Sequence, residues 1–363
     1  MRVLFLGTYE RDYPRNAQVA ACLRRAGVEV VERHAPVWEG QEHKWDVGAG
    51  AALKLARAQA SLLRSRGEQF DVVRVGYPGH LDMLVAKLVA RGRPVVFDPL
   101  VSLYDSFVDD RARFAPGSGA ARLLERIDRT ALRAADLVVA DTEAHAEYLA
   151  ELAHIPRSRV AVCLVGAEER LFWPAPTPSA ATGPFTALFV GKLIPLHGLE
   201  TIVAAARLAP EIRFRLVGSG QLEHVLADAP ANVERVPWVP YDELPAELWR
   251  CSCALGVFGT SAKAGRVIPN KVFQALACGA PLVTGDTAGA RELLVDGQSA
   301  LLVAPGDPAA LAAAVRRLAA DPALRERVAT GGLAAYRAHA SEAVLGARWR
   351  ALLEGLVTGA ART

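Results

Sequence analysis

CALGVFGTSAKAGRVIPNKVFQALACGAPLVTGDTAGARELLVDGQSALLVAPGD, residues 253–307, decides the fold. Its apolar start, 254–258, predicts a buried strand. A polar loop with Lys263, Gly265 and Arg266 follows. Pro269 then opens an apolar-periodic helix over 270–277 that stops at Gly279, the usual asymmetry of Pro at a helix start and Gly past its end. A second strand, 281–284, leads through a Gly-containing turn to another helix start near 289–294. Two strand-to-helix turns thus lie side by side, one of them carrying fixed cations. Helix N-termini attract phosphate, and Arg and Lys add charge. The pattern predicts an anionic ligand, a diphosphate.

Outward from this stretch, 363 residues suggest about two domains. An apolar fraction of 52% supplies a large core. A net charge of +3 is too weak to argue for a nucleic-acid partner and suits an anionic substrate or a membrane surface equally. The apolar start, 3–6, has the length of a strand and not of a secretory signal. No run reaches the roughly 18 uncharged apolar residues of a spanning helix. Five scattered cysteines, Cys22, Cys163, Cys251, Cys253 and Cys278, argue for a reducing cytoplasm and against a disulfide framework. The Cys251 and Cys253 pair reads as an ordinary buried strand before it reads as a metal half-site.

In chain order, strand 2–6, helix 15–26 and strand 28–32 form a βαβ unit. The loop GTYERDYPRN after the first strand reads either as a wall of a substrate cleft, with Gly7, Thr8, Arg11, Asp12 and Arg15 at the ligand, or as solvated charge. The stretch 35–50 has no clean period. Trp38 and Trp45 read either as contacts to an acceptor or a lipid surface or as packing of a connecting loop. Helix 49–66, strand 70–75, helix 81–90 and strand 94–97 follow. Asp98 stands at the carboxyl end of that last strand, where ligands bind in open α/β sheets. It is the candidate to take a substrate's proton or to position the substrate, with Asp105 and Asp109 as competitors and a helix cap or loop ion pair as the plain alternative. Helix 119–134, strand 137–140, helix 142–152 and strand 160–164 complete the first half. The second half brings strands 185–190, 212–217 and 233–236, and helices 241–249, 307–320, 322–331 and 341–356.

The run QALACGAPLVTGDTAGARELLVDGQSALLV, residues 274–303, is similar along its whole length to the helix-plus-turn signature of the retaining glycosyltransferases of family 4. That resemblance implies a GT-B fold in the α/β class: two Rossmann-like, doubly wound domains facing a central cleft. It implies an N-terminal acceptor-side domain over 1–174, a Pro-, Ala- and Thr-rich linker over 175–184, a nucleotide-sugar domain over 185–340 and a C-terminal helix, 341–363, that packs back on the first domain. The chemistry implied is retaining transfer of a hexosyl group from a nucleoside-diphosphate sugar to an acceptor hydroxyl, without a metal or other cofactor. The competing readings are a GT-B-like binding protein without turnover and a sugar-nucleotide epimerase.

The family usually shows two Glu residues with seven residues between them; here Gln274 takes the second place and Arg266 the first. Gln274 keeps hydrogen bonds to ribose hydroxyls within reach without the strength of a charge. Arg266 reads as a phosphate ligand, as does Lys271 in the PNK at 269–271. The family's Gly-Arg-Leu and Lys-Gly, both gripping the diphosphate, become Gly191-Lys192-Leu193 and His197-Gly198, which predicts a weaker or pH-dependent grip through His197. Val239 falls beside the nucleobase, Gly289 and Ala290 at the diphosphate, and Glu292 at the sugar hydroxyls or as a first-turn helix acid. The catalytic set is therefore Asp98, Arg266 and Lys271. The partner is a sugar nucleotide, with the acceptor open, no nucleic acid, and peripheral membrane contact left open.

Overall fold

A computed structural model of the chain describes residues 1–37, 49–175 and 183–359. The readings at Trp38 and Trp45, and nearly all of the linker over 175–184, lie outside the described residues. The chain divides into two compact units, each built on a six-stranded sheet.

The first unit runs β1 (Arg2–Gly7), α1 (Pro14–Arg25), β2 (Glu29–His34), α2 (Ala49–Leu62), β3 (Val72–Val75), α3 (Met83–Ala90), β4 (Val95–Phe97), α4 (Gly119–Ala134), β5 (Leu137–Ala140), α5 (Glu143–Ala153) and β6 (Val160–Val162). Its strands are parallel in the order β2-β1-β3-β4-β5-β6. Both faces of a parallel sheet are covered, so the strands read as continuous apolar runs. In β1, Val3 and Phe5 pack on α1, whereas Leu4 and Leu6 join the core beneath α2 to α5. The direction of the crossovers accounts for this split. The step from β1 to β2 runs opposite to all later steps, and right-handed connections then set α1 on one face and α2 to α5 on the other.

The second unit runs from Val165 to Ser341, with Asp109–Ala112. It holds β7 (Thr186–Val190), α6 (Leu199–Leu208), β8 (Arg213–Val217), β9 (Val233–Val236), α7 (Leu244–Arg250), β10 (Cys253–Leu255), α8 (Ala262–Arg266), α9 (Asn270–Ala277), β11 (Leu282–Gly285), α10 (Ala288–Arg291), β12 (Leu301–Val303), α11 (Pro308–Ala320) and α12 (Pro322–His339). The strand order is β12-β11-β10-β7-β8-β9, again all parallel. Phe172 belongs to this unit, its ring edge-on to Tyr241 at 5.6 Å. The last helix, α13 (Glu342–Thr358), returns to the first unit and packs on α1.

Local chemistry sets many of these boundaries. Asp307 and Asp321 each precede a Pro and cap α11 and α12, accepting the Ala310 and Leu324 N–H groups at 2.9 Å. Three readings from sequence need correction. Residues 262–266 are not a loop but α8, which Ser261 caps by accepting the Ala264 N–H at 3.2 Å; five residues are too few to show a helical period. The strand at 254–258 is β10, ending at Leu255. The helix from Pro322 does not stop at Gly331 but continues to His339. Gly331 is there for close packing: a Cβ on it would lie 2.1 Å from the Gln298 carbonyl oxygen. The strand β12 has no counterpart in the sequence reading, since three residues carry no period.

Trp349 anchors α13 at 1% exposure, among Phe5, Val19 and Leu23. Trp349→Ala is expected to lower stability by about 3–5 kcal/mol, read as a fall in the urea midpoint. An unchanged midpoint would show that α13 does not share in the first core.

Candidate active site

In the second unit the chain leaves β7 toward β8 and β9, then crosses back to β10 and onward to β12. Strand order therefore reverses between β7 and β10, and the carboxyl ends of those strands flank the crevice where doubly wound sheets take ligands. Lys271 reaches into this place from the first turn of α9. Its Nζ lies 3.9 Å from the centre of the Phe189 ring, on β7. It also sits over the turn that ends β7, because a Cβ added to Gly191 would stand 2.7 Å from Nζ. Gly191 has φ +147°, a conformation that side chains rarely adopt, so the position is doubly reserved for glycine.

The Lys271 ammonium is buried and has no hydrogen-bond partner among the described residues. Burial alone pushes it well below the ordinary lysine value. The Phe189 ring offers it a cation–π contact but no acceptor. An amine at a topological switch point is thus left with unused donors.

His197 takes a different part from the one read in the sequence. It is buried, its Nδ1–H donates to the Lys192 carbonyl, and its ring meets Phe189 edge-on at 5.5 Å. Burial, and after it the Lys271 charge, push it well below the ordinary histidine value. It is neutral near pH 7 and supplies no charge to a phosphate; its donor is spent on holding the turn after β7. The cation absent at 197 is present at 271, over the same turn. Lys192 is exposed on that turn, and Lys263, buried in the first turn of α8, is a further cation acting on His197.

The remaining sequence candidates fall around this centre unevenly. Arg266 ends α8, and its backbone carbonyl abuts Gly289, where a Cβ would be 2.8 Å away. The Ala290 N–H is already given to Thr287 Oγ1 at 3.1 Å, so it is not open to a diphosphate as expected. Glu292 is exposed at the C-terminal end of α10, not in a first turn, so the helix gains nothing from its charge. Gln274 lies one turn beyond Lys271 and is 7% exposed; its Nε2 is 3.4 Å from Tyr241 Oη, which leaves Oε1 for a ligand. Val239 is half-buried beside the exposed Trp238. The Gln274 to Tyr241 contact was not foreseen, because nothing in the sequence joins positions so far apart.

In the first unit the expected ligand groups are consumed internally. Strand order reverses between β1 and β3, and there Asp82 Oδ2 accepts the Thr8 N–H at 2.7 Å and its hydroxyl at 2.9 Å. Gly7 makes room for that carboxylate, since a Cβ would lie 2.8 Å from it. Thr8 is thus 1% exposed and bound to its own chain, not to a donor. Asp98 and Arg15 are both fully buried. Asp98 pairs with Arg74 at 2.6 Å and Arg15 at 3.1 Å, and Arg15 also donates to the Leu164 and Cys163 carbonyls at 2.8 and 3.1 Å. Burial would raise the Asp98 pKa, but the two guanidinium groups hold it below its ordinary value. Asp98 is a structural counter-ion, not a base for an acceptor hydroxyl, and Arg15 is its partner and not a substrate ligand. The Arg74 partner, one strand away, had no sequence signal beyond a charge inside an apolar strand.

Two substitutions test these assignments. Lys271→Met is expected to stabilise the ligand-free protein by about 1–3 kcal/mol, the cost of leaving a buried polar group unsatisfied, while abolishing diphosphate binding; loss of stability would mean that the ammonium has an internal partner. Asp98→Ala strands two buried guanidinium groups and is expected to cost about 3–5 kcal/mol. Because the Asp98 pKa is lowered on folding, its contribution is present above the ordinary value of 3.8 and is lost as the pH falls toward the folded value. Urea unfolding at several pH values reads both effects.

Comparison with known proteins agrees with this architecture. Residues 1–166 match the family model described as a glycosyl transferase 4-like domain, and residues 199–354 the one described as glycosyl transferase-like. The chain is 30% identical over 331 residues to D-inositol 3-phosphate glycosyltransferase 1 of Catenulispora acidiphila, covering 84% of this chain and 76% of that protein. The match to the D-inositol 3-phosphate glycosyltransferase of Thermobispora bispora, at 32% identity, covers 52% of this chain and about half, 49%, of that relative. Among solved structures, sucrose-phosphate synthase from Thermosynechococcus elongatus superposes with a TM-score of 0.75 at 17% identity, over 99% of each chain. Anabaena HepE in complex with UDP-glucose superposes with a TM-score of 0.70 at 15% identity, over 98% of this chain and 100% of that one. A family model on each half, and a relative matched over most of its length, place the chain among the GT-B glycosyltransferases of the group 1, family 4 type, and it is a member of that family.

Proposed function

We propose that the chain moves a sugar from a nucleoside-diphosphate sugar to an acceptor hydroxyl, with retention at the anomeric carbon and without a metal ion. The observation that carries this reading is the Lys271 ammonium, buried and unpartnered over the turn after β7. When the bond between the sugar and the diphosphate breaks, negative charge grows on the departing phosphate. A cation already fixed in a dry site stabilises that charge without reorganising. Lys192, just past the end of the same strand, supplies a second charge from the solvent side. Arg266 is assigned to the phosphates and Gly289, which its backbone abuts, to the same end of the donor. Gln274 Oε1 accepts from a ribose hydroxyl, and Val239 lies against the base. Retention and metal independence rest on the resemblance of 274–303 to the family signature. UDP-glucose is the first donor to test, because HepE was solved with it. D-Inositol 3-phosphate is the first acceptor, from the name of the Catenulispora relative.

The test is nucleotide release from a panel of sugar nucleotides with this and other hydroxyl acceptors. Release in the presence of EDTA, and a product with the donor's anomeric configuration by NMR, are the expected results. Lys271→Ala is expected to lower kcat on the order of 100- to 1000-fold; full activity in that variant removes Lys271 from the mechanism. The depressed Lys271 pKa adds a pH dependence with a definite sign. A diphosphate favours the charged ammonium, so affinity for UDP falls as pH rises through the lowered Lys271 pKa of the free protein, and at and above that pKa binding takes up a proton. Calorimetry in buffers of different ionisation enthalpy is expected to show this uptake, and Lys271→Met to remove it.

A further inference from the structure

Four of the eleven large apolar side chains that stand exposed among the described residues fall on two neighbouring helices of the first unit. Leu81, Leu84 and Leu88 are 43%, 62% and 54% exposed, and Leu53 on α2 is 54% exposed. Positions 81, 84 and 88 recur at helical spacing, so they form one stripe along α3 and the turn that opens it. The opposite face of α3 is buried: Met83, Ala86 and Val89 are at 0% exposure in the core beneath α2 to α5. Leu62 of α2 enters the same core, and Gln59 Nε2 donates to the Leu81 carbonyl at 2.7 Å. Both helices thus lie side by side on one face of the sheet, and their outer faces look the same way.

The charges around the stripe have one sign. From Ala49 to Arg66 and from Gly79 to Arg93 the chain carries seven Lys and Arg and a single carboxylate, Asp82, which is buried. That excess is larger than the +3 of the whole chain. Lys87 pairs with Asp136 at 2.9 Å. Arg57, Arg64, Arg66 and Arg91 are exposed, and no ion pair involves them among the described residues. Leucines at helical spacing inside a rim of unpaired cations are the composition of a helical surface that lies in a lipid headgroup layer. A second copy of the chain would bring the same cations face to face across an isologous contact, and projecting leucines offer a nucleic acid nothing.

We propose that the outer face of α2 and α3 docks on an anionic phospholipid bilayer, with Leu84 and Leu88 entering the acyl boundary and the Arg rim meeting the headgroups. Each Lys or Arg near an anionic leaflet strengthens partitioning about fivefold. None of these residues belongs to the candidate active site, so the proposal stands apart from the donor reading. The test is co-sedimentation of the full chain with vesicles of phosphatidylcholine alone and of an equimolar mixture with phosphatidylglycerol. Binding to the mixed vesicles only is expected, at least tenfold weaker in Leu84→Glu/Leu88→Glu and in Arg57→Glu/Arg64→Glu/Arg91→Glu. Leu84→Ser/Leu88→Ser is a milder companion should the first pair fail to fold, and an unchanged urea midpoint of each variant, read at Trp349 in the first core, reports that the substituted unit is intact. No binding to mixed vesicles, binding unchanged in the variants, or a patch-dependent dimer by sedimentation without vesicle binding would each overturn it.

Discussion

The second unit depends on a charge that its own chain does not answer. Lys271 brings an ammonium to the carboxyl ends of β7 and β10, where Phe189 and the Gly191 turn enclose it and no group among the described residues accepts its protons. Burying a cation without a partner costs free energy. A fold that carries such a cost gains from any ligand that supplies the missing anion. The neutral His197 beside it fits the same logic, since a second buried charge would oppose the first.

The two sheets make opposite use of one topological feature. Each reverses its strand order near the middle, and each has a glycine turn at the end of a central strand there. In the first unit the protein fills that place with its own carboxylate: Asp82 takes the Thr8 N–H and hydroxyl that a ligand would otherwise meet. In the second the corresponding place holds a cation and lacks the anion. The first unit also pairs its interior charges, setting the Asp98 carboxylate between the Arg15 and Arg74 guanidinium groups under Trp349. Buried charges of the first unit are answered by one another, and that of the second has no answering group among the described residues.

Much of the architecture was legible along the chain. Continuous apolar runs of strand length, Asp-Pro and Ser or Thr caps, and Pro-then-Gly bracketing of 270–277 mark the α/β alternation and most element ends. The misreadings have local causes. The helix α8 is too short for a period, β12 is three residues long, and Gly331 looks like a stop although it is there for packing. The place of Lys271 in the first turn of a helix after a strand was legible from the Pro269 start. Asp98 was misread because a carboxylate at a strand's end looks the same whether it faces a crevice or two buried guanidinium groups.

The sequence by itself determined the two-fold α/β alternation, the family to which the chain belongs and the cation at 271, because each rests on residues close together in the chain. Tertiary structure alone decided which charges are spent and which are open. Arg74 reaches Asp98 from a neighbouring strand, Asp82 reaches Thr8 across 74 positions, and Lys271 reaches the Gly191 turn from a helix far along the chain. Whether a buried charge is a counter-ion or a ligand-binding group depends on what stands within a few ångströms of it, and only the packing of distant segments fixes that.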